Sequence, residues 1–391
     1  MAEPPRVLIV ADDLTGAMDS AGPFAAFGIE TWVVAVPMRC DPASLKSARV
    51  VSVNTDTRHL SADLAAARVR EVARHLGAGG FDIVVKKIDS TLRGNVVAET
   101  LALLDISGRG QAVVAPAFPG QGRTVRGGIV YVDGRPLAQT AFSKDALSPP
   151  PLAPLQQVFA AAKAGLRVST AAPSDAFDGG VDIWIADSEI DADLTRIVEA
   201  FTSRMGRVLM VGSAGLTRAL ALVCFDGHPI PAAPQHVTGT IVFAVGSRAA
   251  RSAEQVEALA AEPETRVLRA PNGRLQCAEI PVARNLILKA TTDDDGHESN
   301  AECVAADMAK HAIEIARSAQ AQALVVTGGD TAIAILTASD NPAVQVLGDL
   351  MPGIPYARIR LDGASLGLVT KAGGFGGRDT FREVARKLRE G

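Results

Sequence analysis

Aromatic side chains are scarce in this chain: 12 Phe, 2 Trp and 2 Tyr make up only 4% of 391 residues. A packed interior must therefore rest on Val, Ile, Leu and Ala, which the 48% hydrophobic content supplies. Cysteine is sparse as well. Cys40, Cys224, Cys277 and Cys303 stand far apart, which excludes a C-x-x-C pair or a zinc-spaced Cys/His cluster. Reduced, mostly buried thiols of a cytosolic chain are expected instead. An excess of basic residues is missing too: the formal charge is −4 and the pI near 5.9. That argues against a nucleic-acid groove or an anionic membrane surface, both of which require a basic field. No apolar run reaches the roughly 18 residues that a membrane span requires, and the polar opening at 1–6 carries no secretory pattern. The cytoplasm is the expected location. Three nucleotide signatures are also lacking: G-x-x-x-x-G-K-[ST], G-x-G-x-x-G after a first strand, and the H-R-D and D-F-G pair. Their absence disfavours a P-loop NTPase, a standard dinucleotide dehydrogenase and a protein kinase.

What the chain does have is an alternation of short apolar runs with helical patterns. Strands are expected at 7–11, 31–36, 50–53, 83–85 and 112–115, with helices at about 15–27, 62–76 and 96–104. Such alternation predicts a mainly parallel sheet covered by helices. Residues 116–128 form a long Gly/Pro/Arg loop, and Asp133-Gly134 marks a hairpin over 129–137. The pattern then resumes with strands at 182–186 and 208–211 and a helix at 216–223. The length favours two domains, and the segment 227–239, with three prolines and few large apolar residues, is the expected linker. The expected division is an N-terminal domain over 1–235 and a C-terminal domain over 236–391. In the latter, strands are expected at 240–245, 323–327, 357–360 and 367–371, a solvated acidic loop at 291–300, and a closing helix at about 380–388. Each domain is thus read as α/β, with a cleft between them.

Chemistry-bearing residues fall at the predicted strand ends. Asp12 and Asp13 follow the first strand, where ligands of open parallel sheets bind. Adjacent carboxylates there can accept or deprotonate a hydroxyl or hold a metal, although Asp13 or Thr15 could equally cap the next helix. Asp19, seven residues beyond Asp12, either shares that face or favours the helix dipole. The segment 86–94, K-K-I-D-S-T-L-R-G, follows another strand. Lys87 and Arg93 could hold a carboxylate, since the guanidinium fork bonds carboxylates in pairs. Asp89, Ser90 and Thr91 could bond sugar hydroxyls. The plainer alternative is a helix capped by Ser90 or Thr91, with an Asp89–Arg93 salt bridge. Arg58, after a third strand, adds a further cation. In the second domain, Gly246-Ser247, Thr327-Gly328-Gly329-Asp330-Thr331 and Lys371 to Gly377, with Gly373, Gly374 and Gly376, each end a strand. One such turn is ordinary; three at one sheet edge predict a polyphosphate site.

Taken in order, A-D-D-x-T-G at 11–16, K-x-D-S-T-L-R-G at 87–94, P-A-F-P-x-Q-G-R at 116–123, G-S-A-G-L at 212–216, T-G-G-D-T at 327–331 and K-A-G-G-F-G at 371–376 resemble the four-carbon acid sugar kinase family. Leu14 and Ala372 depart from the residues expected there, Phe and Ser. The resemblance implies an N-terminal acid-sugar domain, a C-terminal nucleotide domain, and transfer of the ATP γ-phosphoryl to a terminal 4-hydroxyl of threonate, erythronate or 3-oxo-tetronate. It implies that Asp12, Asp13, Arg58, Lys87, Asp89, Ser90 and Arg93 face the acid sugar, and that Ser247, Gly328 to Thr331, Gly373 and Gly374 face ATP. Mg²⁺ is expected on the phosphates, and one of Asp12 or Asp13 is expected to orient or deprotonate the hydroxyl. Asp330 is the second choice of base. Self-association into a homo-oligomer is left open. Two other classes stay open as well: a non-catalytic sensor of a small acid, and an oxidoreductase with an unusual dinucleotide site.

Overall fold

A computed structural model describes residues 3–391, apart from 146, 178–179, 226, 229, 231–233, 235, 276–278 and 292–299. Cys277, most of the expected acidic loop at 291–300 and several residues of the expected linker lie outside the described residues. The chain divides into two compact units, Met1–Pro229 and Ile230–Gly391.

The first unit runs β1 (Val7–Ala11), α1 (Leu14–Ala25), β2 (Thr31–Val34), β3 (Val50–Asn54), α2 (Ala62–His75), β4 (Ile83–Lys87), α3 (Val96–Ile106) and β5 (Gln111–Ala115). A small antiparallel sheet follows: β6 (Arg123–Arg126), β7 (Ile129–Val132) and β8 (Arg135–Pro136). The expected turn joins β7 to β8, with Asp133 and Gly134 both at positive φ, as a two-residue hairpin requires. The unit is completed by α4 (Leu155–Ala162), β9 (Val168–Ala171), β10 (Ile183–Ala186), α5 (Asp191–Phe201), β11 (Val208–Gly212) and α6 (Ala214–Cys224).

Eight strands pair in the order β2-β3-β1-β4-β11-β5-β10-β9, all parallel. Every residue of β1, β3 and β4 is buried, which is why these strands open as apolar runs rather than alternating ones, interrupted only by Ser52 and Asn54 in β3 and by Lys86 and Lys87 at the end of β4. The register sets Ala11 opposite both Asn54 and Lys87, and Gly212 opposite both Lys87 and Ala115. The segments after β3, β1, β4 and β11 therefore leave the sheet at one edge. The chain reverses across β1, with β3 and β2 on one side and β4 onward on the other. That is the switch point where such sheets hold ligands.

The second unit runs β12 (Ile241–Val245), α7 (Ala250–Ala260), β13 (Thr265–Pro271), β14 (Asn285–Thr291), α8 (Ala301–Ser318), β15 (Ala323–Thr327), α9 (Gly329–Ala338), β16 (Ala343–Met351), β17 (Ile354–Leu361), β18 (Ala364–Lys371) and α10 (Thr380–Glu390). Its order is β13-β14-β12-β15-β18-β17-β16, parallel through β18 and antiparallel beyond. Phe243 and Phe381 meet at 5.4 Å in a core shared with Ile241, Val256, Tyr356 and Leu388. Val245, Thr327 and Lys371 stand in register across β12, β15 and β18, so the three glycine turns leave one edge. Among the described residues, no helix is long and apolar enough to cross a membrane.

Candidate active site

Asp12 and Asp13 leave β1 at the switch point of the first unit. Asp13 is the N-cap of α1: its Oδ1 accepts the Gly16 N–H at 2.8 Å, satisfying one of the donors a helix start leaves open. The capping role expected as an alternative is therefore real, yet it occupies one oxygen only. Arg58 takes the other. Its Nη1 donates to Asp13 Oδ2 at 2.7 Å, while Nε and Nη2 grip Asp12 Oδ2 and Oδ1 at 2.7 and 3.1 Å. The turn bearing Arg58 is itself fixed. The Asp12 carbonyl accepts the Thr57 N–H at 2.9 Å, and Asn95 Nδ2 donates to the carbonyls of Thr57 and Leu60.

Burial alone would raise the Asp12 carboxyl, but Arg58, Lys86 and Lys87 hold it below the usual range. Asp12 is thus an ionised acceptor. Asp19 responds differently: burial raises its carboxyl, Lys87 and Arg218 oppose that, and Asp13 reinforces it. Asp19 thus lies within electrostatic reach of Lys87, Arg218 and Asp13. Two glycines keep the neighbourhood open. A Cβ on Gly16 would stand 2.6 Å from Asp13 Oδ1 and 3.1 Å from Lys87 Nζ, and one on Gly94 would stand 3.2 Å from Asp12 Oδ2.

Segment 88–95 is a loop rather than a helix start. Helix α3 begins at Val96 behind Asn95, so neither Ser90 nor Thr91 caps it, which corrects that alternative. Asp89 instead organises the loop, accepting the N–H and hydroxyl of Thr91 and two bonds from Arg93, both at 3.0 Å. Burial opposes its charge, but Arg58 and Arg93 hold the carboxyl far below the usual range. The expected Asp89–Arg93 salt bridge is present, and Ser90 stands half-buried beside it. Leu92 lies at φ +60°, a left-handed conformation that costs a branched residue about 1–3 kcal/mol and tends to occur at functional sites. Ser148 closes the outer side, donating to the Arg58 carbonyl at 2.9 Å and meeting His59 Nδ1 at 2.8 Å.

Beneath these groups lies a pair that the sequence reading passed over. Lys86, fully buried, meets Glu99 Oε2 at 2.9 Å and donates to the carbonyls of Val10 and Lys87. Glu99 is an acid on the buried side of α3, and that position was the available signal for it. Burial and Asp12 raise its carboxyl, with Lys86 opposing.

The second unit gathers its predicted residues without such charge. A Cβ on Gly246 would collide with the Thr331 hydroxyl, and one on Gly373 with Ser247 Oγ. Gly328, at φ +106°, precedes α9, whose start has no side-chain cap. Asp330 is exposed in the first turn and Thr327 is buried. Lys371, expected from the sequence at the nucleotide site, is 1% exposed, and its Nζ donates to the carbonyls of Ala372, Gly373 and Phe375. Ser252 and Gln255, on α7, hold the same loop and were also missed.

Comparison with known proteins fits this division. Residues 7–220 match the model of a sugar-binding N-terminal domain, and residues 242–381 that of a nucleotide-binding C-terminal domain. A D-threonate kinase of Bordetella bronchiseptica is 34% identical over 99% of this chain and 98% of its own. A 3-oxo-tetronate kinase of Methylobacterium radiotolerans is 31% identical over 95% and 96%. A crystal structure of a domain of unknown function from Bordetella bronchiseptica, a domain-swapped dimer with bound citrate, matches with a TM-score of 0.50 at 31% identity, covering 99% of each chain.

Proposed function

The chain belongs to the family that joins a sugar-binding N-terminal domain to a nucleotide-binding C-terminal domain, and from that premise we propose that it is an ATP-dependent kinase of four-carbon acid sugars, acting on the terminal 4-hydroxyl. The observation that carries the reading is the gathering of Asp12, Asp13, Arg58, Asp89 and Arg93, linked through carboxylate–guanidinium bonds, at the switch point of the first unit.

The donor preferences of these groups assign their work. Arg58, Arg93 and Lys87 supply the cationic side that an acid-sugar carboxylate needs, with Arg58 and Arg93 held in place by Asp12, Asp13 and Asp89 until a ligand competes for them. Asp89, Ser90 and Thr91 offer oxygens to sugar hydroxyls. A carboxylate with a depressed pKa is a weak base, so Asp12 acts mainly by accepting and aiming the hydroxyl. Phosphoryl transfer through a loose transition state depends far more on positioning than on early proton removal. In the second unit, the turns at Gly246-Ser247, Gly328 to Thr331 and Gly373-Gly374 receive the ATP phosphates. Mg²⁺, which neutralises the β- and γ-phosphates when bound, needs only one or two carboxylates beside phosphate oxygens and water. Exposed Asp330 meets that demand.

The test is ADP release by the full chain with D-threonate, D-erythronate and 3-oxo-tetronate. At least one acid should stimulate turnover, and Asp12→Asn should lower kcat about 10²-fold or more. No stimulation by any of these acids would sink the reading. Near-normal turnover in both Asp12→Asn and Asp13→Asn would remove the role given to the carboxylate pair.

A further inference from the structure

The glycine-rich turn after β18 is gripped by four buried side chains, one of which, Thr380, donates its hydroxyl to the Gly377 carbonyl at 2.9 Å. Lys371 Nζ donates to the carbonyls of Ala372, Gly373 and Phe375 at 2.7, 3.2 and 3.1 Å. Ser252 Oγ donates to the Gly373 carbonyl at 2.8 Å. Gln255 Nε2 donates to the carbonyls of Phe375 and Gly377 at 2.9 and 2.8 Å. Ser252 and Gln255 have no exposed surface and Lys371 has 1%, so none is placed to touch a ligand lying on the turn. Their effect is on the backbone. In a planar trans peptide, the C=O and the following N–H point in opposite directions. Carbonyls 372, 373, 375 and 377 drawn inward therefore send the N–H groups of Gly373, Gly374, Gly376 and Arg378 outward. Gly373 and Gly374 present two successive N–H groups, the arrangement that makes an anion-binding concavity, while the Phe375 N–H turns back onto the Ala372 carbonyl at 3.0 Å. Gly376, at φ +83°, supplies the left-handed step that lets the run curve.

We infer that Lys371, Ser252 and Gln255 are positioning residues that shape segment 372–378 into an anion nest, and that the nest takes the phosphate chain of the nucleotide. The inference rests on the nucleotide reading of the second unit and adds the device that makes its glycine turn attractive to phosphate. A lysine and a glutamine beside a phosphate site would ordinarily be assigned to the phosphate itself. Here both are spent on carbonyls.

Gln255→Leu is the sharpest variant, because it removes two carbonyl partners without altering net charge or much volume. Calorimetry on the full chain should show ATP and inorganic tripolyphosphate each weakened about tenfold, the worth of one to two hydrogen bonds. Adenosine and the acid sugar should shift by less than about twofold, since neither meets the nest. Lys371→Met should act in the same direction, and Lys371→Arg should recover most of the loss. If Lys371→Met fails to fold, Gln255→Leu carries the test alone. Unchanged ATP and tripolyphosphate affinity in folded Gln255→Leu would overturn the inference while leaving the nucleotide reading intact. A wild-type chain that binds neither ATP nor tripolyphosphate would overturn that reading, and the inference with it.

Discussion

Each unit buries a lysine beneath the edge of its parallel sheet; both donate to backbone carbonyls, but one of them also meets a buried carboxylate. Lys86 meets the Glu99 carboxylate at 2.9 Å below Asp12, inside a site crowded with formal charge. Lys371 satisfies its ammonium on backbone carbonyls, those of Ala372, Gly373 and Phe375. The proposed acid-sugar side is thus built from side-chain charges that brace one another, and the proposed nucleotide side from the direction of its peptides. The difference follows from the ligands proposed for them. A small polyol acid offers hydroxyls and one carboxylate, which call for placed donors and acceptors. A phosphate chain is an extended anion that a row of N–H groups can follow.

The largest way to break this symmetry is Lys86→Met. It leaves the Glu99 carboxylate buried without its counter-ion, a defect that costs about 3–5 kcal/mol. Denaturant unfolding should show a loss of that order, and adding Glu99→Leu should return most of it. A single variant as stable as wild type would mean that the pair is not the support of the Asp12 site.

This comparison also explains what could be read from the sequence. Asp12, Asp13, Arg58 and the 87–93 segment were legible because charge at the end of an apolar strand is chemically conspicuous. Strands β1, β3, β4, β12 and β15 were legible because burial on both faces makes them mainly apolar runs. Strand β13 was not, since Arg266 and Arg269 alternate with its buried positions. Helices α7 and α8 escaped because alanine and polar residues dilute their apolar faces. Lys371 was visible as a cation beside glycines, but the turn of its ammonium onto the carbonyls of Ala372, Gly373 and Phe375 was not. Nor does sequence display that Gln255 of α7, 120 residues before Phe375, holds the same loop.

A smaller effect sharpens the comparison through the glycines. On Gly246 a methyl would collide with the Thr331 hydroxyl, and overpacking of this kind costs about 1–3 kcal/mol. On Gly16 it would press on Asp13 Oδ1 and Lys87 Nζ. Gly246→Ala should raise KM for ATP about tenfold with little change for the acid, and Gly16→Ala should do the reverse. Steady-state kinetics with each substrate varied in turn would check this. Equal effects on both constants would show that the two sites are not separable.

The smallest effect concerns the charge of Lys371. Burial, with Arg251 adding to it, lowers its pKa from 10.5 to about 8. The groups facing it are Arg251 of α7 and the Phe381 ring of α10, 5.6 Å away. Below pH 8 the folded chain carries the ammonium, with three N–H donors for three carbonyls. Above it the neutral amine has two, and one carbonyl loses its partner, worth about 1 kcal/mol. KM for ATP should therefore rise about fivefold between pH 7 and 9, and the rise should flatten in Lys371→Arg, whose guanidinium stays charged. Stability responds with the opposite sign. Between pH 8 and 10.5 the unfolded lysine holds a proton that the folded one has released, so this group's contribution favours folding increasingly as pH rises through that window. A nucleotide constant that weakens while Lys371's share of stability grows would separate a positioning role from a merely structural one, because loosening of the fold would drive both in the same direction.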